Sequence, residues 1–234
     1  MAKVVIIGAS TGGLPAAYEL KDALGKNHEI TVVSDTETFH FVPSNPWVAV
    51  GWRKRKDISF PLKPYLDKKG IRLIAERAVR IDPTKNTVTT DKGTAVPYDY
   101  LVLATGPKLA FDEVEGLGPK ANTVSICTID HAEEAYEKYL KFLENPGPVV
   151  IGAAQGASCF GPAYEFAFIL DTDLRKRRLR KKVPITFVTS EPYLGHLGLS
   201  GVGDSKGLME HEFRERQISY HTNAKLKKIE RDKM

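Results

Sequence analysis

A chain of 234 residues, 42% hydrophobic and 27% charged, is long enough to bury one large core or two smaller ones. A net charge of +5 does not by itself imply nucleic acid, and two cysteines are too few for a disulfide-stapled scaffold. No apolar run approaches the roughly 20 residues a membrane-spanning helix needs, and no signal peptide precedes the first strand-like run, so the composition is that of a soluble globular body with membrane-surface contact left open.

Lys3-Val4-Val5-Ile6-Ile7 is a short apolar run of the kind buried in a parallel sheet. Gly8-Ala9-Ser10-Thr11-Gly12-Gly13 follows, then a helical stretch to Leu24, a stop at Gly25 and a second strand at Glu29-Ile30-Thr31-Val32-Val33. This order predicts a βαβ unit whose small turn residues let a phosphate reach backbone N–H groups at the amino end of the helix. Gly8, Ser10, Thr11, Gly12 and Gly13 are therefore the candidate dinucleotide contacts, although Ser10 stands where the usual fingerprint has its middle glycine. The acid that holds a ribose hydroxyl is expected at the end of the second strand, where Ser34 and then Asp35 stand. Asp35 reads equally well as that contact or as an ordinary turn residue.

A Pro-rich aromatic loop (39–52) comes next. Ile71-Arg72-Leu73-Ile74 and Thr87-Val88-Thr89-Thr90 are expected strands, the latter entering a hairpin turn at Asp91-Lys92-Gly93. Tyr98-Asp99-Tyr100-Leu101-Val102-Leu103 is a buried strand that ends in the tight turn Ala104-Thr105-Gly106. The theme then repeats: a helix over 129–143, a strand from Val149, a second Gly turn at Gly152-Ala153-Ala154-Gln155-Gly156, and a long helix over 157–180. A strand (184–189), a helix (203–216) and a strand (217–221) follow.

The fold class is therefore α/β, with two Rossmann-like domains of mostly parallel sheet over 1–110 and 111–234, the first incomplete. Residues 225–234 look like the start of a hairpin without its closing element, so the chain is expected to be part of a longer protein.

Cys159 falls in the expected first turn of the 157–180 helix, where the macrodipole would favour its thiolate; the alternative is a buried, inert cysteine. Glu165 lies in an apolar stretch, where a carboxyl is costly unless partnered or used. His131 and His196 are candidate proton donors or structural histidines. Neither cysteine has metal-ligand spacing. The basic run Arg175-Lys176-Arg177-Arg178-Leu179-Arg180-Lys181-Lys182 reads first as a solvated helix end and second as a surface for anionic lipid; nucleic acid is not expected.

The first Gly turn together with Ala104-Thr105-Gly106 resembles the two flavin-binding signatures of the disulfide-reductase-like flavoproteins, which hold FAD in the first dinucleotide fold and usually a nicotinamide in the second. Phe41-Val42-Pro43-Ser44-Asn45-Pro46-Trp47-Val48, Ser125-Ile126-Cys127-Thr128, Ala157-Ser158-Cys159-Phe160-Gly161-Pro162 and Glu191-Pro192-Tyr193-Leu194-Gly195-His196 narrow this to a resemblance to the sulfide:quinone oxidoreductase family. That resemblance implies oxidation of sulfide at redox cysteines, electron transfer through FAD and reduction of a membrane quinone. Cys159 matches a redox cysteine, Cys127 a cysteine close to the flavin, and a further family cysteine lies in a C-terminal part that this sequence does not contain. The missing part also implies FAD-completing and membrane-binding segments, hence weak FAD retention here and a peripheral place on the cytoplasmic membrane, with oligomeric state open. By the same resemblance Pro43, Asn45 and Trp47 shape a loop over the flavin, and Glu165, His131 and His196 handle protons. The alternatives are the flavoprotein subunit of a flavocytochrome c sulfide dehydrogenase, a type II NADH dehydrogenase, and a catalytically silent scaffold.

Overall fold

Strands and helices alternate along most of the chain. The computed structural model describes residues 1–231. It contains β1 (Lys3–Ile7), α1 (Gly13–Leu24), β2 (Glu29–Ser34), β3 (Thr38–His40), α2 (Asn45–Ala49), β4 (Ser59–Pro61), α3 (Lys63–Lys69), β5 (Arg72–Ala75) and β6 (Ala78–Asp82). These are followed by β7 (Thr87–Thr90), β8 (Ala95–Pro97), β9 (Tyr100–Leu103), α4 (Ile129–Glu144), β10 (Val149–Ala153), α5 (Gly161–Lys176), β11 (Ile185–Thr189), α6 (Ser205–Glu215) and β12 (Ile218–His221). Two compact units form, Met1–Phe41 with Lys56–Leu109, and Val42–Arg55 with Ala110–Met234.

In the first unit a parallel sheet runs in the order β5-β2-β1-β9. Successive side chains of β1 point to opposite faces. Val4 and Ile6 enter a core with Ala17, Leu62 and Leu66 from the helical side. Val5 and Ile7 enter another with Val88 and Val96 from the antiparallel sheet β6-β7-β8. Covered on both faces, β1 can be apolar without alternation. With β2 on one side and β9 on the other, β1 is also where the strand order reverses, and ligands in such sheets bind beyond the carboxyl ends at that point. The hairpin expected at 91–93 is present: the Thr90 N–H donates to the Thr94 carbonyl at 3.0 Å, and Gly93 takes φ +83°.

The second unit carries the parallel sheet β10-β11-β12. Its core gathers Phe187, Phe213, Leu174 and Ile185. The hydroxyl of Thr128 caps α4 by accepting the His131 N–H at 3.2 Å, and Asp204 caps α6 by accepting from Gly207 at 3.1 Å. The segment Val42–Arg55, placed in the first domain by sequence, clusters here. The Trp52 indole donates to Asp173 at 2.7 Å, and Arg55 pairs with Asp130 and Glu133. Lys228 bridges in parallel to Glu115, and the last three residues of the expected hairpin start lie outside the described residues.

The long helix is shorter than the sequence suggested. It begins at Gly161, with Pro162 in its first turn and Phe160 as N-cap, and ends where Arg178 turns to φ +60°. The basic run beyond it largely serves this unit. Asp171, fully buried, accepts from Arg175 at 2.8 Å, Arg180 at 2.6 Å and Arg216 at 3.2 Å. Arg177 reaches buried Asp173 at 2.5 Å, and the Lys176 ammonium sits 4.1 Å from the Trp52 ring centre. Internal pairing therefore accounts for Arg175, Lys176, Arg177 and Arg180, without recourse to a lipid surface.

Candidate functional site

The two turns that end β1 and β9 are pressed together. Gly8 has φ +105°, and a Cβ there would stand 2.1 Å from the Ala104 carbonyl oxygen. A Cβ on Gly13 would stand 1.8 Å from the Gly8 carbonyl oxygen, so helix α1 meets the strand end at a distance only glycine permits. The Gly8 N–H donates to Val33 and the Ala104 N–H to Ile7, both at 2.8 Å, which fixes the pair onto the sheet.

The amino end of α1 is open. Its N-cap is Gly12, no side chain caps it, and Pro15 in its first turn has no N–H to satisfy. Ser10, Thr11 and Gly12 are exposed in front of it, as are Thr105 and Gly106 across the crevice. A Cβ on Gly12 would lie 3.6 Å from the Ala104 side chain, an ordinary contact that leaves a backbone-lined approach open. A small-residue turn and a helix dipole suit the pyrophosphate of a dinucleotide, although the Leu14 N–H already donates to the Ser10 carbonyl at 3.0 Å.

Beyond β2 the two candidates divide. Ser34 is buried, and its hydroxyl accepts the Thr36 N–H at 3.3 Å, closing the turn. Asp35 is exposed, with Arg77 at 3.7 Å, and is the residue a ribose could reach.

The second unit is built differently after its first strand. Five residues (8–12) separate β1 from α1, whereas seven (154–160) separate β10 from α5. Cys159 lies in this longer turn, exposed, and precedes the N-cap of α5. The sequence places it in the first helical turn, but the structure sets it one residue ahead of the N-cap, because the helix starts later, at Gly161-Pro162. Cys127 is also exposed, its N–H donating to the Ser125 hydroxyl at 3.2 Å.

The Gln155 side chain pairs with the backbone of Leu226 in both directions, at 2.9 and 3.0 Å, and is committed to holding segment 224–228. Past β11, where a dinucleotide unit presents its ribose acid, stands Glu191, only 2% exposed. Its carboxyl accepts the Tyr164 hydroxyl at 2.8 Å, the Thr189 hydroxyl at 2.7 Å and the Leu197 N–H at 2.6 Å. Tyr164 in turn accepts the Gly195 N–H at 3.0 Å. Burial and the neighbouring Glu191 hold the Tyr164 phenol well above its ordinary pKa, despite the opposing bond from Gly195, so it remains a donor. Sequence reading singled out neither Glu191 nor Tyr164; an acid two residues past an apolar strand was the available signal.

The remaining candidates fall in the second unit. Glu165 is exposed rather than enclosed in apolar surroundings, because it lies on the outer side of α5, and the Trp47 indole donates to it at 3.2 Å. Pro43 is exposed, whereas Asn45 is fully buried with neither amide atom hydrogen-bonded. His131 is half-buried with Nδ1 unpaired and its ring 5.7 Å from that of Phe111; His196 packs edge-on to Tyr193 at 5.2 Å. Among the described residues no cluster of His, Cys, Asp or Glu could hold a metal ion, and no helix is long and apolar enough to cross a membrane.

A parallel sheet with an open small-residue turn at its switch point defines a dinucleotide-binding α/β protein. More particularly, the chain belongs to the pyridine nucleotide-disulphide oxidoreductase family, which residues 2–234 match, and FAD is the cofactor that the open crevice of the first unit fits. The sulfide-quinone reductase of Aquifex aeolicus is 52% identical over the whole chain, which covers 54% of that protein. The crystal structure of the Aquifex enzyme superposes with a TM-score of 0.93 over 98% of the chain and 53% of that structure. The mitochondrial sulfide:quinone oxidoreductase of Dictyostelium discoideum is 30% identical over 79% of the chain and 41% of its own length. The type II NADH:quinone oxidoreductase NdhA of Mycobacterium tuberculosis is 35% identical over 70% of the chain and 38% of its length. The chain thus spans about half the length of the relatives it matches.

Proposed function

We propose that the chain is the FAD-holding and sulfide-oxidising part of a sulfide:quinone oxidoreductase. The observation that carries the reading is the second Gly turn: lengthened, with Gln155 turned onto Leu226 and Glu191 sealed below, it presents exposed Cys159 where a nicotinamide site would offer open backbone. The second reading, an NADH dehydrogenase like the Mycobacterium relative, is disfavoured by the same residues, since Glu191, the acid just past β11, is buried and already accepts three hydrogen bonds.

In this reading hydrosulfide attacks a sulfur–sulfur bond that Cys159 shares with a second sulfur. A new S–S bond forms as the old one breaks, leaving a persulfide and a thiolate. FAD, when bound, accepts the two electrons of the oxidation, and a membrane quinone takes them on with two protons. Gly8, Ser10, Thr11, Gly12 and Gly13 would hold the pyrophosphate, Asp35 a ribose hydroxyl, and Ala104, Thr105 and Gly106 the far wall of the crevice. Glu165, which shares a hydrogen bond with Trp47, and the histidines His131 and His196 are the proton carriers of this reading, and Cys127 is its cysteine close to the flavin. Pro43 would shape the loop over the flavin, and Asn45 would do so by bracing it from beneath. A peripheral place on the cytoplasmic membrane belongs to this reading, because the quinone resides in a bilayer.

The test is anaerobic titration of FAD-loaded protein expressed from its full reading frame. Sulfide is expected to bleach the visible flavin band, NADH to leave it unchanged, and Cys159→Ala to abolish the sulfide response. Bleaching by NADH but not by sulfide would transfer the chain to the dehydrogenase class.

A further inference from the structure

Helix α5 meets both tryptophans of the chain, each through a carboxylate. The Trp47 indole donates to Glu165 at 3.2 Å, and the Trp52 indole donates to Asp173 at 2.7 Å. The two carboxylates differ in freedom. Asp173 is 3% exposed and also accepts the Tyr139 hydroxyl at 2.6 Å and Arg177 at 2.5 Å, which hold it in place. Glu165 is exposed, and an exposed glutamate samples several rotamers unless a partner selects one.

The tryptophans are fixed to each other. The Trp52 and Arg53 N–H groups both donate to the Trp47 carbonyl, at 2.9 and 3.3 Å, closing a turn through Gly51 at φ +79°. The two rings meet edge to face with centroids 6.1 Å apart. The Arg53 guanidinium lies 4.6 Å from the Trp47 ring centre, its Nε buried. Two rings thus connect the anchored carboxylate of α5 to the free one.

We propose that Trp47 is a positioning residue that selects one rotamer of Glu165, and that Asp173 holds Trp47 in that role through Trp52. This deepens the reading of Glu165 as a proton carrier and rests on it. A proton passes only across hydrogen-bond distance, so a carboxyl spread over several rotamers transfers it less often.

Isotope-labelled indoles of the 234-residue chain give two resonances, and each Trp→Phe variant assigns one and reports the other. Glu165→Ala, a change at an exposed side chain, should raise solvent exchange of the Trp47 indole proton about threefold or more and leave that of Trp52 as it is. Trp52→Phe keeps a ring and loses the bond to Asp173, so it should also raise Trp47 exchange. An unchanged Trp47 rate in either variant overturns the proposal. In FAD-loaded protein from the full reading frame, Trp47→Phe should slow bleaching by sulfide about fivefold or more, and should add nothing to the loss caused by Glu165→Ala, because both changes act through one carboxyl. Equal losses in the two backgrounds would make Trp47 a packing residue and overturn the proposal, as would Glu165→Ala bleached as fast as the parent. A parent that sulfide fails to bleach overturns the sulfide-oxidising reading instead, and the exchange rates, which need neither flavin nor sulfide, still decide the positioning.

Discussion

The Ala104 carbonyl oxygen occupies the space a side chain on Gly8 would need, 2.1 Å from the position of a Cβ there. Two turns far apart in sequence, one after β1 and one after β9, thereby form a single crevice at the switch point of the sheet. The glycines around it are not equivalent. Gly8 combines positive φ with a backbone clash, whereas Gly12 has an ordinary right-handed conformation and room for a methyl group.

Gly8→Ala should therefore damage the fold, costing about 2–4 kcal/mol through strain and displacement of β9. Gly12→Ala should leave the thermal midpoint within a few degrees of the parent, roughly the shift of 1 kcal/mol, yet weaken FAD binding by crowding the phosphate approach. Calorimetry and a flavin-fluorescence titration on both variants separate the roles. Equal loss of stability in the two would refute the distinction.

Asp35 gives a second binding prediction. Its ion pair with Arg77 is long and exposed, so its loss should barely change stability. Asp35→Ala is expected to weaken FAD binding about tenfold, the worth of one hydrogen bond to a charged group, with the melting curve of the FAD-free protein unaltered. Unchanged affinity would return Asp35 to an ordinary turn residue.

Asp171 should dominate the acid sensitivity of the second unit. Burial pushes its carboxyl pKa up, but hydrogen bonds from Arg175, Arg180 and Arg216 together with the Arg175 charge outweigh that and hold it below its ordinary value. A depressed folded pKa gives stability that is complete above the unfolded value of about 3.9 and is lost as pH falls through the folded one. Asp171→Asn leaves these arginines without their shared anion and should cost about 3–5 kcal/mol at neutral pH. Its stability should also change less steeply with pH below about 4 than that of the parent. Urea unfolding at several pH values measures both, and parallel curves for the two proteins would count against this account.

The first unit was legible because its signals are local. A buried run from Val4, a glycine turn and an apolar strand ending at Leu103 each declare themselves within ten or so residues, although that last strand, expected to be buried, leaves Tyr100 and Leu103 exposed. The second unit depends on distant pairings that no periodicity carries. Trp52 belongs with Asp173, Arg55 with Glu133 and Gln155 with Leu226, so neither the placement of Val42–Arg55 nor the partner of Gln155 could be read from pattern. The start of α5 was misplaced although Gly161-Pro162 offered a cue, because proline favours the first helical turn over the interior. Asp171 and Asp173 were invisible for a related reason: on sequence they looked like ordinary charges on a helix, whereas the arginines that follow them close over two buried carboxyls.

Asn45 breaks a rule of folding that the rest of its segment keeps. It is fully buried at the start of α2, yet neither its amide nitrogen nor its oxygen is hydrogen-bonded. Leaving such a group unsatisfied costs about 1–3 kcal/mol, and residues that violate packing rules concentrate at working sites. Asn45→Leu keeps similar volume and removes the unpaired atoms, so it should stabilise the protein by about 1–2 kcal/mol. If Asn45 braces the loop over the flavin, the same variant should slow bleaching by sulfide in the full-length protein while raising the thermal midpoint. A variant both more stable and equally fast would make Asn45 a packing defect, and a less stable one would show that the amide has a partner in the working protein.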